Sequence, residues 1–147
     1  MKAQVAPLQA AFSTGDEPMD PVLEFIDRVG QAYDLPPEPL TDLRIALDEV
    51  VTNIAKYAYA EEGRHEFTIR CEVREGRLQT VVEDGGVAFD PLNAPAPDLS
   101  LGLEQRPIGG LGVHFVKKLM SAVRYERVGA RNRLTMEQEL NKQKGNV

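Results

Sequence analysis

The apolar residues of this chain recur at helical spacing up to about residue 58 and alternate with polar residues from about residue 67. The first helix is predicted to begin with Asp20 as its N-cap and Pro21 at its first position, and to end at Gly30. After a proline-rich stretch, residues 35–39, Thr41 is predicted to cap a second helix. That helix carries the most regular apolar stripe of the chain, formed by Leu43, Ala46, Leu47, Val50, Ile54, Tyr57 and Ala58.

The modestly apolar residues 5–12 are predicted to form a first strand ahead of the helices. Further strands are predicted after the second helix, at residues 67–73, 78–82, 123–128 and 133–140. Hairpin turns are expected at Glu75-Gly76 and at residues 129–132. Because consecutive strands pair through hairpins while helices are interspersed, the pattern predicts an α+β fold with helices on one face of a mixed, mostly antiparallel sheet.

Residues 91–107 contain four prolines and have no periodic pattern. A loop of this length inside a small domain is typical of a functional lid or of disorder. A further helix is predicted from about Leu111 to Met120, and the polar tail, residues 141–147, is expected to fray.

Composition narrows the function. The 147 residues predict a single domain, and the net charge of −6 argues against nonspecific binding to nucleic acid or to an anionic membrane. The one cysteine, Cys71, is predicted to be a buried structural thiol in a protein of the reducing cytosol. With two histidines, a histidine-based metal site is not expected. We predict no signal peptide and no membrane span.

Glu49 and Asn53 lie four residues apart and therefore on one face of the second helix, at the margin of its apolar stripe. Glu49 is a candidate general base, and the amide oxygen of Asn53 is a candidate ligand for Mg²⁺. Lys56, one turn further, is a candidate partner for Glu49 or for a phosphate. Taken alone, such a pair is more often an ordinary solvated helix face.

Asp84 stands at the exit of an apolar strand and is followed by two glycines. Its carboxylate is a candidate acceptor for an exocyclic amino group such as that of adenine, and Gly86 allows a close approach of backbone and ligand. Taken alone, Asp-Gly is more often a plain turn.

A third motif, Gly109-Gly110-Leu111-Gly112, opens the later helix. Exposed backbone N–H groups at a helix N-terminus suit a phosphate tail, although a flexible hinge explains the glycines equally well. Arg106 upstream and Arg131 or Arg133 downstream are candidate phosphate contacts.

In this order and at these spacings the three motifs resemble the N, G1 and G2 boxes of the GHKL ATPase superfamily, over about Pro21 to Leu140. Residues 91–108 then correspond to the ATP lid of that superfamily. The closer resemblance is to the anti-sigma factor serine kinases of bacteria. It rests on residues 46–59 (ALDEVVTNIAKYAY), 84–91 (DGGVAFDP), 109–113 (GGLGV) with Leu119-Met120, and 132–135 (NRLT).

The resemblance implies a two-layer α/β sandwich of the Bergerat type, which is the histidine-kinase-like ATPase fold. It implies that Glu49 is the catalytic base, Asn53 the Mg²⁺ ligand and Asp84 the adenine acceptor. The remaining implied ATP contacts are Asn53, Lys56, Gly86, Arg106, Gly109, Gly110, Leu111, Gly112 and Thr135.

The implied substrate is a serine on a small anti-anti-sigma (STAS-type) protein, with a sigma factor as a second partner and a homodimer formed through the first strand and helix. Two positions depart from the pattern: Tyr57 stands where a histidine is usual, and Ser121 where an aspartate is common. The main alternative is a nucleotide-dependent partner-switching module without turnover. A bare structural domain and a detached histidine-kinase catalytic domain are further alternatives.

Overall fold

The computed structural model describes residues 5–15, 17–58, 65–88, 90, 92 and 116–140. The elements in chain order are β1 (Leu8–Ser13), α1 (Met19–Ala32), α2 (Pro37–Asn53), a π-helical turn (Ile54–Ala58), β2 (Glu66–Arg74), β3 (Arg77–Asp84), β4 (Ala122–Val128) and β5 (Arg131–Glu139). Residues 116–119 are also helical, whereas the start of the helix predicted from Leu111 lies outside the described residues.

The five strands form one sheet in the order β1-β2-β3-β5-β4. Every neighbouring pair among these described strands is antiparallel, which confirms the prediction of a mostly antiparallel sheet. The turns after β2 and β4 contain Gly76 and Gly129 at positive φ, 74° and 59° respectively. Glycine suits this left-handed conformation because it has no Cβ, so both predicted hairpins are confirmed.

One face of the sheet packs against α1 and α2. The alternating residues Phe67, Ile69 and Cys71 of β2 are fully buried in the same core as Phe25 of α1 and Leu47 of α2. The opposite face carries ion pairs. This arrangement is the predicted two-layer α+β fold, and it explains why the strands alternate so cleanly. No helix in the described part of the chain is long and apolar enough to cross a membrane.

The predicted helix starts were wrong because of the prolines. Helix α1 begins at Met19 and α2 at Pro37, each preceded by a proline, and neither has a side-chain cap. Asp20 therefore lies in the first turn of α1. Thr41 lies one turn inside α2, where its hydroxyl donates to the carbonyl of Pro37 at 3.1 Å. Proline is tolerated in a first helical turn because that N–H has no intrahelical partner, so residues 37–39 open a helix.

Gly30 was predicted to end the first helix but lies inside α1, which continues to Ala32. A Cβ built on Gly30 would come within 2.7 Å of Leu40 Cδ1. The glycine is therefore explained by the close approach of α1 to α2. The last turn is also shorter than predicted, because Arg131 and Asn132 belong to β5.

Candidate functional site

The end of α2 carries the first predicted pair. Glu49 and Asn53 are both partly exposed, beside the buried side chains of Val50 and Ile54. This is the predicted position at the margin of the apolar stripe. A π-helical turn follows directly, and such turns are often found at functional sites in proteins. Lys56 is exposed within that turn, and no ion pair among the described residues joins it to Glu49.

Asp84 is the last residue of β3 and is only 5% exposed. Its register partner on β2 is the core residue Phe67, so the carboxylate lies on the sheet face that the helices cover. Its Oδ1 accepts hydrogen bonds from the backbone N–H of Gly86 at 2.8 Å and from Nδ2 of Asn132 at 3.0 Å. Asp84 therefore forms the predicted turn and also presents a buried, ordered acceptor.

Asn132 belongs to the NRLT motif of residues 132–135, but no role in the site was predicted for it from the sequence. It lies directly opposite Asp84 in the register of β3 and β5. Besides Asp84, its Nδ2 donates to the carbonyl of Val87 at 2.8 Å. Its Oδ1 accepts from the hydroxyl of Tyr125 at 2.5 Å and from Nη1 of Arg127 at 3.1 Å. Both N–H groups and two lone pairs of this buried amide are thus used.

Arg127 also donates from Nη1 to the carbonyl of Gly86 at 2.8 Å. The turn formed by residues 84–87 is therefore held to β4 and β5 at three points: the carboxylate of Asp84 and the carbonyls of Gly86 and Val87. A signal for Asn132 existed in the sequence, because it has the same strand parity as the apolar Leu134. That signal was hidden when residues 129–132 were all assigned to the turn.

Helix α2 is fastened to β5 near one end of the strand. Near the start of the helix, the carbonyl of Pro39 accepts from Nε2 of Gln138 at 2.9 Å. From Pro39 to Asn53 a helix advances about 21 Å, and from Gln138 to Asn132 a strand advances about 20 Å. Helix α2 is therefore long enough to span the distance between the two ends of β5, and the approach of Glu49 and Asn53 to Asp84 stays a prediction.

A cleft of about 210 Å³ lies at the other end of β5, bounded by residues that include Pro37, Leu119, Ser121 and Gln138. It is remote from Asp84 along the strand and holds none of the predicted site residues. We therefore do not assign it to the site.

The glycine motif is not part of the described region. Arg106, Gly109, Gly110, Leu111 and Gly112 all lie outside the described residues, as does almost all of the predicted lid over residues 91–108. The phosphate contacts assigned to these residues stay predictions.

The two downstream candidates for phosphate contact form ion pairs in this structure, and their contact with phosphate stays a prediction. Arg131 and Arg133 both pair with Glu83, at 3.3 Å and 2.5 Å respectively. All three lie on the sheet face opposite Asp84, because Asn132 and Asp84 have the other parity. The hydrogen bond that Arg133 donates to Glu83 raises the pKa of the Arg133 side chain.

Thr135 also lies away from Asp84. It is buried, but it pairs with Val81 and has the parity of Arg133, so its side chain lies on the opposite sheet face. The implied ATP contact of Thr135 stays a prediction, although its side chain does not share a sheet face with Asp84. Asn132 takes the position beside the acceptor instead.

Cys71 is fully buried, and its Sγ lies 3.5 Å from the Thr80 hydroxyl. Burial raises the pKa of this thiol to about 11, so it is protonated at neutral pH. The prediction of a structural thiol is confirmed, and Cys71 is no candidate nucleophile.

Comparisons with known proteins agree with this architecture. The family described as histidine kinase-like ATPase domain matches residues 12–138. The serine-protein kinase RsbW of Bacillus subtilis (strain 168) is 36% identical over 104 residues, which cover 67% of this chain and 62% of that protein. RsbW of Bacillus cereus (strain AH820) is 36% identical over 101 residues, covering 66% of this chain and 60% of that protein. The chain thus spans less than two thirds of these relatives.

Two solved structures have a similar fold. The RsbU and RsbW domains of Rv1364c from Mycobacterium tuberculosis superpose with a TM-score of 0.65 at 15% identity, over 92% of this chain and 33% of that one. The Acinetobacter baumannii histidine kinase AdeS superposes with a TM-score of 0.51 at 15% identity, over 94% of this chain and 70% of that one. At this identity the likeness concerns the fold alone, and it confirms the predicted fold class.

Proposed function

Because this chain belongs to the histidine kinase-like ATPase family, we propose that it binds ATP and transfers the γ-phosphoryl group to a serine of a protein partner. The observation that carries the proposal is the buried carboxylate of Asp84, which is ordered by two hydrogen bonds on the sheet face covered by α2. The names of the sequence relatives, which are serine-protein kinases, support the choice of a protein hydroxyl as the acceptor.

Asp84 is proposed to recognise the base. Gly86 and Asn132 both donate to Oδ1, while a carboxylate offers about four acceptor positions over its two oxygens. Acceptor capacity therefore remains for the amino group of adenine. Burial strengthens such a bond, because water competes less well for the acceptor.

Glu49 and Asn53 are proposed to serve the phosphate end. Glu49 orients the serine hydroxyl and accepts its proton, since phosphoryl transfer depends mainly on positioning and charge neutralisation. Mg²⁺ prefers oxygen ligands and keeps several of its waters. The side-chain oxygen of Asn53 fits this preference, and the side chain is partly exposed to water. When bound, Mg²⁺ neutralises phosphate charge, and Asn53 is the residue proposed to hold it.

The remaining phosphate contacts are assigned to Lys56, Arg106 and the glycine motif of residues 109–112, with residues 91–108 as the lid. We propose that residues 1–147 form one ATP-binding domain. Lys56 is exposed directly after Asn53, which supports its inclusion.

The proposed substrate is a small anti-anti-sigma protein of the STAS type, and a sigma factor is the proposed second partner, in the cytoplasm. The net charge of −6 disfavours direct contact with nucleic acid or with an anionic membrane. We also propose a homodimer through β1 and α1. Strand β1 is at one edge of the sheet, and Leu23 of α1 is 37% exposed; edge strands readily pair with another chain.

The test combines calorimetry with transfer of labelled phosphate from ATP and Mg²⁺ to a purified anti-anti-sigma protein. Glu49→Gln is expected to lower turnover by about 10²- to 10⁴-fold while ATP binding is retained. Asp84→Asn is expected to weaken ATP binding. Asp48→Asn is the matched control, because Asp48 is exposed on α2 next to Glu49, and it should behave as wild type.

Normal phosphorylation by Glu49→Gln would remove that residue from catalysis. ATP binding without any labelled partner, together with nucleotide-dependent partner affinity, would instead establish the alternative of a switching module without turnover. Absence of ATP binding by the wild-type chain would refute both.

A further inference from the structure

The amide of Asn132 stands between an acidic and a basic side chain at the end of the sheet. Asp84 lies on one side, and Arg127 with Tyr125 on the other. We propose that Asn132 is a positioning residue that holds Asp84 as an acceptor for an amino-bearing purine and so favours ATP over GTP. This inference rests on the proposed nucleotide site.

The orientation of the amide is fixed by its neighbours. Its Nδ2 faces two acceptors, Asp84 Oδ1 and the Val87 carbonyl, and its Oδ1 faces two donors, Arg127 and Tyr125. A flipped amide would place oxygen against the acceptors on Asp84 and Val87 and an N–H group against the Arg127 donor, so three of the four contacts would be lost. One orientation alone satisfies the site.

The locked amide determines what Asp84 can do. A buried carboxylate is costly unless donors stabilise it, and Asn132 supplies one of two such donors at 3.0 Å. Arg127 does not reach Asp84 through the bonds described. It donates to the amide oxygen and to the Gly86 carbonyl, so it holds both the amide and the turn. The carboxylate thus keeps one orientation.

An ionised carboxylate accepts hydrogen bonds and cannot donate them. Adenine presents an amino donor at the ring position where guanine presents a carbonyl oxygen. A fixed acceptor therefore binds the first and repels the second, and a site built around a required hydrogen bond rejects the wrong partner strongly. Loosening Asp84 should weaken that selectivity as well as affinity.

Asn132→Asp is the most direct test because it keeps the shape of the side chain and reverses its chemistry. One oxygen still accepts from Arg127 and Tyr125, which favours folding. The other oxygen replaces Nδ2 against Asp84 Oδ1 and Val87 O. At pH 8 we expect ATP affinity to fall by about 10- to 100-fold, as for loss of a charged hydrogen bond, and the preference for ATP over GTP to shrink.

Acidification should rescue this variant. Two adjacent carboxyls share a proton because like charges disfavour double ionisation, which raises one of the two pKa values. The shared proton recreates a donor towards Asp84. Among the described residues, Arg127 on β4 is the other charged side chain in this hydrogen-bond network. ATP affinity of Asn132→Asp should therefore recover from pH 8 to about pH 5.5 relative to wild type, whereas a purely structural defect would not recover.

Gln138→Glu is the matched control. Gln138 is on the same strand and face as Asn132 and is equally buried, but it lies at the opposite end of β5. It should leave the ratio of ATP to GTP affinity unchanged. Asn132→Ser, whose hydroxyl retains one donor, should lie between wild type and Asn132→Asp, and it decides the matter if the aspartate variant does not fold.

The possible outcomes distinguish a failure of the positioning role of Asn132 from a failure of the proposed function. If Asp84→Asn loses ATP binding while Asn132→Asp and Asn132→Ser keep wild-type affinity and selectivity at pH 8, the positioning role is overturned and the nucleotide site stands. If wild type itself binds no ATP, or Asp84→Asn binds normally, the proposed function fails first. In the kinase assay, KM for ATP should rise while kcat stays within about 2-fold of wild type, since Asn132 acts through the base and not at the transferred phosphate.

Discussion

Strand β5 carries two buried amides that differ in almost everything except burial. Asn132 and Gln138 are each 5% exposed and face the helices from the two ends of the same strand. Asn132 makes four side-chain hydrogen bonds. Gln138 makes one, to the Pro39 carbonyl, and its Oε1 has no partner among the described residues.

The difference teaches that burial of a polar group does not by itself mark a functional site. Gln138 fastens the start of α2 to the sheet, and one hydrogen bond suffices for that task. An unsatisfied buried acceptor costs about 1–3 kcal/mol, and the fold tolerates it there. At the Asp84 end, both N–H groups and two lone pairs of the Asn132 amide are used, so the orientation of the amide is fixed as well as its position.

The largest effect is expected when the two amides, Asn132 and Gln138, are removed in turn. Asn132→Leu removes one of the two donors to Asp84 and the oxygen that Tyr125 and Arg127 share as an acceptor, so it should lower the free energy of unfolding by about 3 kcal/mol. Gln138→Leu loses one bond but also removes an unsatisfied oxygen, and should change stability by less than about 1 kcal/mol. Urea denaturation measures both, and equal losses would contradict the comparison.

A milder change tests how firmly the amide of Asn132 is held. Tyr125→Phe removes one of the two donors to its oxygen, so the free energy of unfolding should fall by about 1 kcal/mol because Arg127 still holds the amide. Tyr33→Phe is the matched control, since that hydroxyl donates to the Ala6 carbonyl at an exposed site, and its cost should be smaller. A neutral Tyr125→Phe would mean that Arg127 alone is sufficient.

The smallest effect is expected on the opposite face of the sheet. The hydrogen bond from Arg124 lowers the pKa of Glu137. A carboxyl with a lowered folded pKa stabilises the protein above its unfolded pKa of about 4.3, and this contribution is lost as the pH falls through the folded value. Arg124→Ala should therefore be slightly less stable than wild type at pH 7 and equal to it at pH 2. A difference that grew on acidification would have the wrong sign.

The sequence predicted the strands well because the two sheet faces have such different surroundings. In β2 and β3, apolar side chains meet the helices while charged ones meet solvent, so the two-residue alternation is unambiguous. The glycines of the hairpins were equally informative, since positive φ disfavours most other residues. Helix starts were harder to predict because a proline both ends one element and opens the next.

Site residues could be proposed from the sequence only where the residue type itself indicates a chemical role. Glu49, Asn53, Asp84 and Gly86 stand out in the chain by residue type, and their convergence on one nucleotide stays a prediction. The proposed role of Asn132 depends on its pairing with Asp84, which lies 48 positions away in the sequence. A local sequence pattern does not reveal such a pairing. Thr135 lies on the other sheet face because the parity of a position in the strand, and not the motif, decides which face a side chain joins.

The π-helical turn at Ile54–Ala58 has a consequence for how this chain tolerates changes of length. Each hydrogen bond in such a turn spans one more residue than in an α-helix, so the segment accommodates an extra residue without altering the helical phase before it. Glu49 and Asn53 therefore keep their alignment when a residue is gained or lost after them in the chain. A family of chains built on this helix is free to gain or lose a residue there while the same two side chains continue to point the same way.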